Sequence, residues 1–350
     1  LKAAGELKSK PTQHSVKDLL GLGIQPDVLV CRSDRPLDGL KKKIAGFCNV
    51  PIENVIQNLN AQSLYEVPLM MEEEGLPAAV LNTLGLPDEK PDLGEWRDLV
   101  QRILAPERSV EIAMVGKYTE LHDAYLSVVE ARAHAGANLA TKVDIRWLSA
   151  QDITQENVAE KLSGVDGVIV PGGFGDRGIE GMICTAQYCR EQAIHYLGIC
   201  LGMHIAVIEF ARHVLGYEGA HSTEVDPNTP YPVIDLMPDQ RGVFSIGGTL
   251  RLGKYACKLQ PGYKAQALYG VDEIWERHRP RYEYNNEYLE ALEAAGMKAV
   301  GWNEAPGVAE MSELPAHPYY LAGPFHPEVK HRLNRRHPLF DGWVAAALQG

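Results

Sequence analysis

The chain has 350 residues, with 34 basic against 46 acidic side chains and a formal net charge of −12. Hydrophobic residues at 45% and charged residues at 23% lie at globular averages, which excludes collagen-like, coiled-coil and disordered chains. The acidic balance repels nucleic acid phosphates, so no nucleic acid partner is expected and only local basic patches remain for small anions.

At roughly 100 to 200 residues per domain the length suggests two domains. No apolar run approaches the ~18 residues of a bilayer span, and the opening lacks the apolar centre of a leader peptide. A cytoplasmic protein with no membrane partner is expected. Cys31, Cys48, Cys184, Cys189, Cys200 and Cys257 show neither Cys-x-x-Cys pairing nor disulfide-scaffold density. Reduced thiols and no metal centre follow.

In chain order, residues 1–105 read as a mixed segment with a polar basic opening to Ser15, a strand at 27–31 and basic residues at 41–43. Pro87, Pro91 and Pro106 break any long element around a short helix centred on Trp96, and the domain boundary is placed there. Beyond it, short apolar runs alternate with amphipathic stretches, as in a parallel sheet with crossover helices. Strands are expected at 110–115, 143–148, 165–170 and 196–200, with Asp123 capping a helix toward Gly136 and a second helix reaching Gln192. The later part alternates strands at 249–259, 298–302 and 319–325 and closes with a helix after His337 and Pro338. The fold class is α/β, with a doubly wound, mainly parallel sheet whose ligands gather at the strand carboxyl ends.

Gly198-Ile199-Cys200-Leu201-Gly202 is a Gly-x-nucleophile-x-Gly turn between a strand and a helix. Flanking glycines permit a tight turn that lifts the thiol to a helix N-terminus, where the dipole favours thiolate. A thiolate needs a base and a group that orients it, and His326-Pro327-Glu328 after the last strand offers both. In an extended segment residues two apart share a side, so Glu328 can hold the His326 imidazole. Pro171-Gly172-Gly173-Phe174-Gly175 ends a neighbouring strand and can turn backbone N–H groups toward an oxyanion, beside the N–H of Leu201. Together these pieces describe a thiol amidase.

Two decoys are set aside. Gly173 to Gly178 fits a dinucleotide fingerprint, but the acidic residue it requires is replaced by the turn at Cys200, so NAD is not expected. Gly248 to Lys254 matches the spacing of a phosphate loop, yet Tyr255 stands where Ser or Thr must hold magnesium, and the alternation of Leu250 and Leu252 reads as strand.

These residues resemble the class I (triad) glutamine amidotransferases and, among them, the CTP synthase family. The likeness is carried by Gly116-Lys117-Tyr118, Asp123-Ala124-Tyr125, Pro171 to Gly178, Tyr196 to Met203, His221 to Glu224, Gly247 to Gly253 and Glu276 to Glu283. Gly5 to Ser15 is similar to that family's pyrimidine nucleotide-binding loop. The resemblance implies residues 1–105 as a truncated α/β synthetase segment plus linker, and 106–350 as the amidotransferase domain. It implies that Cys200 forms a glutamyl thioester and releases ammonia, with His326 as acid and base and Glu328 as its partner. Gly173 and Leu201 would hold the oxyanion or substrate backbone, and Glu224 and Arg281 the amino and carboxylate groups of L-glutamine, with His204 beside them. Lys8, Ser9, Lys10, Pro11, Thr12, Gln13 and Lys43 would bind UTP or CTP.

For the complete enzyme the resemblance implies ATP and Mg2+, GTP as an activator, and a homotetramer, with no cofactor in the amidotransferase domain. No ATP phosphate loop precedes Leu1, so this chain is expected to hydrolyse glutamine without making CTP. His204 stands where the family has Gln, and its imidazole does not match an amide's paired donor and acceptor, which points to weaker glutamine binding. Pro324 replaces another family Gln and removes a backbone donor near the base. The segment 233–246 is short for the family. Two other readings stay open: a stand-alone cysteine hydrolase such as a gamma-glutamyl hydrolase, and a non-catalytic nucleotide-binding assembly module.

Overall fold

The alternation of apolar runs and helical stretches produces two units, Leu1–Ala105 and Pro106–Gly350, in a computed structural model that describes residues 7–236, 251–304 and 307–349. In the first unit the elements are α1 (Lys10–Gly21), β1 (Leu29–Arg32), α2 (Leu40–Cys48), β2 (Val55–Asn58), α3 (Val67–Glu73), α4 (Leu76–Leu84) and α5 (Gly94–Leu104). β1 and β2 pair in parallel, Leu29 opposite Val55, over a small core of Val16, Ile44, Cys48 and Val55. The expected polar opening is partly helical, because proline in the first turn of α1 has its ring angle already set for a helix.

The second unit begins with β3 (Arg108–Gly116), α6 (Leu126–Asn138), β4 (Thr141–Ser149), α7 (Val158–Lys161), β5 (Gly167–Val170), α8 (Ile179–Glu191), β6 (His195–Ile199) and α9 (Leu201–His213). It continues with β7 (His221–Ser222), β8 (Pro232–Leu236), β9 (Gly253–Leu259), α10 (Lys264–Tyr269), β10 (Glu273–His278) and β11 (Tyr282–Tyr284). The last elements are α11 (Leu289–Ala295), β12 (Lys298–Asn303), β13 (Val308–Glu313), β14 (Tyr320–Gly323) and α12 (Pro338–Ala347). Nine of these strands form one sheet in the order β10-β9-β12-β13-β14-β6-β5-β3-β4. The run from β14 to β4 is parallel and the other four strands are antiparallel.

Alternate residues of the central strands feed two cores. Val168, Val170 and Tyr196 face one core with α8 and α9, while Ile169, Leu197 and Ile199 face the other with α6 and α12. Helices therefore cover both faces, the doubly wound arrangement that near-continuous apolar strands require. Asp123 does not cap α6: it lies in a tight turn at His122–Tyr125, and the helix starts at Leu126 without a side-chain cap. The strand expected from Thr249 begins at Gly253: Arg251 and Leu252 precede it outside any strand, and residues 237–250, which hold Thr249, Leu250 and most of the short 233–246 segment, fall outside the described residues. Among the described residues no helix is long and apolar enough to cross a membrane.

Candidate active site

Three adjacent parallel strands, β14, β6 and β5, end on one edge of the sheet, and each delivers part of the site. Cys200 follows β6 as the residue capping α9, with φ 53° and ψ −104°. A β-carbon-bearing residue in that region carries strain of about 1 to 3 kcal/mol, and surrounding contacts must hold it there. Its N–H donates to the Gly323 carbonyl at 2.8 Å, and its own carbonyl accepts from Met203 N–H at 3.0 Å. The flanking glycines are needed for approach: a Cβ on Gly198 would stand 2.6 Å from the Gly202 carbonyl oxygen, and one on Gly202 would stand 2.2 Å from that of Val170.

His326 enters from the end of β14. Its N–H donates to the Arg277 carbonyl at 2.8 Å, and the preceding Phe325 bridges His278. The imidazole is thus held from β10, so the missing donor of Pro324 leaves this anchorage intact. Nδ1 of His326 lies 2.7 Å from Oε1 of Glu328. The reason differs from the expected extended geometry, because Pro327 opens a tight turn at Pro327–Val329 that folds Glu328 back onto the ring. Burial lowers the imidazole pKa, but Cys200 and Glu328 outweigh it and raise it to about 10. Cys200 comes before Glu328 among the groups that raise it, while buried Nε2 makes no fully formed hydrogen bond among the described residues. A Cβ on Gly172 would lie 3.0 Å from His326 Cε1 and 3.8 Å from Cys200 Sγ, so the turn after β5 sits against both.

These groups line one cavity of about 560 Å³, together with Tyr118, Tyr125, Phe174, Arg277 and Arg279. Among the expected glutamine contacts, Gly173 lines it, and Leu201 packs beside Gly173. Glu224 reaches the same turn, its Oε1 accepting from the Gly175 N–H at 3.3 Å. His204 is buried on α9, and burial lowers its pKa to about 4, so it is neutral. Its Nε2 has no hydrogen-bond partner among the described residues. Arg281 is not among the cavity-lining residues, and its guanidinium lies 5.7 Å from the Tyr282 ring centre.

In the first unit, Lys8, Ser9, Pro11 and Thr12 line a cavity of about 530 Å³ with Arg32, Ser33, Asp34 and Asn60. Lys10, Gln13 and Lys43 do not line it: Lys10 and Lys43 are exposed, and Gln13 donates to the Ser9 hydroxyl at 3.0 Å. Sequence reasoning gave no role to Arg32 and Asn60, which hydrogen-bond to each other, or to Lys117 and Tyr125 in the second unit. The signal for Lys117 was its place just past the end of a parallel strand, where such sheets put ligand-facing residues. Among the described residues no group of three or more His, Cys, Asp or Glu is arranged to hold a metal ion.

The model of the glutamine amidotransferase class-I family matches residues 120–346, and that of the CTP synthase N-terminus matches 1–86. CTP synthases of Clostridium perfringens and Thermosynechococcus vestitus are 55% and 51% identical to this chain, each over 99% of it. The chain spans 65% and 64% of those relatives' own lengths. The solved Trypanosoma brucei CTPS glutaminase domain with bound acivicin is 32% identical, with a TM-score of 0.65, covering 69% of this chain and 94% of that one. With a family model matched over most of its length and a thiol, an imidazole and a carboxylate gathered on one sheet edge, the chain belongs to the class-I glutamine amidotransferases, on their CTP synthase branch.

Proposed function

We propose that residues 106–350 hydrolyse L-glutamine to glutamate and ammonia, and that the whole protein uses the ammonia to aminate UTP to CTP with ATP. The observation that carries the first part is Cys200 at a helix N-terminus facing a His326 imidazole held by Glu328. An imidazole pKa near 10 keeps on His326 at neutral pH the proton that the leaving amide nitrogen needs.

The Cys200 sulfur attacks the side-chain carbonyl carbon of glutamine, and the resulting oxyanion turns toward the N–H groups of Gly173 and Leu201. His326 gives its proton to the amide nitrogen, the C–N bond breaks, and ammonia leaves behind a γ-glutamyl thioester. Neutral His326 then takes a proton from water as it attacks the thioester. Glutamate departs and the thiolate returns. Glu224 and Arg281 bind the amino and carboxylate groups, charge pairs that select a free amino acid over a peptide.

The cavity lined by Lys8, Ser9, Pro11 and Thr12 is the proposed place for UTP or CTP. ATP, Mg2+, GTP activation, a homotetramer and a cytoplasmic location belong to the proposal for the whole protein. The test is ammonia release from L-glutamine by the chain and by Cys200→Ala. Release that disappears in the variant supports the reading. Hydrolysis of γ-glutamyl peptides in preference to free glutamine would support a gamma-glutamyl hydrolase, and no hydrolysis by folded protein would support a binding module.

A further inference from the structure

We propose that Lys117 is a positioning residue of this site, holding the turn at residues 173–175 in the shape that receives the oxyanion. The inference rests on the glutaminase reading above. β3, which ends at Gly116, neighbours β5 in the sheet, so it is the fourth parallel strand in a row to deliver a residue to this edge. Lys117 is only 6% exposed. Its Nζ donates to the Phe174 carbonyl at 3.1 Å and to the Gly175 carbonyl.

The carbonyl and N–H of one trans peptide point in opposite directions. Turning the Phe174 carbonyl onto Lys117 therefore sends the Gly175 N–H outward, to Oε1 of Glu224 at 3.3 Å. The lysine stem closes the turn from below: a Cβ on Gly173 would stand 3.2 Å from Lys117 Cδ and 3.4 Å from Leu201 Cδ2. The Arg177 guanidinium donates to the Lys117 carbonyl at 2.7 Å, and the Lys117 N–H donates to the Tyr125 hydroxyl oxygen at 3.0 Å. One side chain thus ties the turn that carries Gly173 to the carboxylate proposed for the glutamine amino group.

The charged groups around the ammonium are Glu224, Asp176 and Arg177. Burial lowers its pKa to about 8, against the attraction of Glu224 and Asp176. Above that pH the clamp loses its charge and one donor.

The experiment measures glutamine hydrolysis by the full chain without nucleotide, for wild type, Lys117→Met and Lys117→Arg, alongside alkylation of Cys200 by iodoacetamide. Lys117→Met should lower kcat by roughly 10² to 10³, the loss typical of one oxyanion donor, with KM within a few-fold. Alkylation builds no oxyanion, so its rate should stay at the wild-type value. Lys117→Arg should keep most of the activity and move the alkaline limb from near pH 8 upward by more than one unit, and this limb decides the matter if Lys117→Met does not fold. Wild-type kcat in Lys117→Met, a parallel fall in alkylation, or an unmoved limb in Lys117→Arg would overturn the proposal. Inactive wild type would instead sink the glutaminase reading itself.

Discussion

Gly202→Ala probes the packing that aims the Cys200 thiol. The new Cβ would stand 2.2 Å from the Val170 carbonyl oxygen, about 1.2 Å short of the 3.4 Å at which ordinary contact begins. The obstacle is the backbone of β5, held in a parallel ladder with β3 and β6, so no side chain can swing away. Relief requires α9 and β5 to part by about 1 Å. Overpacking of this kind costs about 1 to 3 kcal/mol, and a 1 Å displacement of reacting groups costs about 10² in rate. Because Pro171 to Gly175 follow β5 while Cys200 and Leu201 start α9, the same movement separates the thiol from the Gly173 N–H, one of the two proposed oxyanion donors. The assay is urea unfolding paired with glutamine hydrolysis. Wild-type stability together with wild-type kcat in Gly202→Ala would refute the close approach and the geometry built on it.

Other substitutions test separate parts of the account. Glu328→Gln keeps the shape beside His326 but removes the charge that fixes its tautomer, so kcat should fall by roughly 10² to 10⁴, read from initial rates. The same change should bring the His326 pKa down from about 10, seen by titrating the imidazole NMR signal, because Glu328 is one of the two groups that raise it. With a folded pKa above the unfolded value near 6.5, His326 adds stability that is complete below about pH 6.5 and lost as pH rises through about 10, which unfolding midpoints across that window can follow. Glu310 is fully buried between Arg251, at 2.6 Å, and His278, so Glu310→Ala leaves buried Arg251 with Glu283 alone and removes the partner of His278 Nε2, and should cost about 3 kcal/mol in urea unfolding. His204→Gln restores a side chain that can donate and accept at one end, and should lower the KM for glutamine without raising kcat.

The strand-to-helix turn at Cys200 was legible because it leaves a local mark: two glycines that the helix and strand cannot do without, spaced around Cys200. His326 and Glu328 were legible as a pair but not in geometry. Pro327 replaces the extended backbone with a tight turn that reaches the same contact. Lys117 stands just past a legible strand end, but a lysine in sequence says nothing of its burial, and its contact with the turn at 173–175 shows only once β3 lies beside β5. The helix α1 was hidden by the polar composition of its exposed face, where only Val16 is buried. The pairing of Arg251 with Glu283 and Glu310 joins residues far apart in the chain and has no sequence signature.

The most direct measurement treats the folded chain with a glutamine-shaped electrophile and maps the adduct by mass spectrometry. A single adduct on Cys200, suppressed by excess L-glutamine and absent in His326→Ala at neutral pH, is the result this account requires. An adduct spread over Cys31, Cys184 and the other thiols, or none at all, would contradict it.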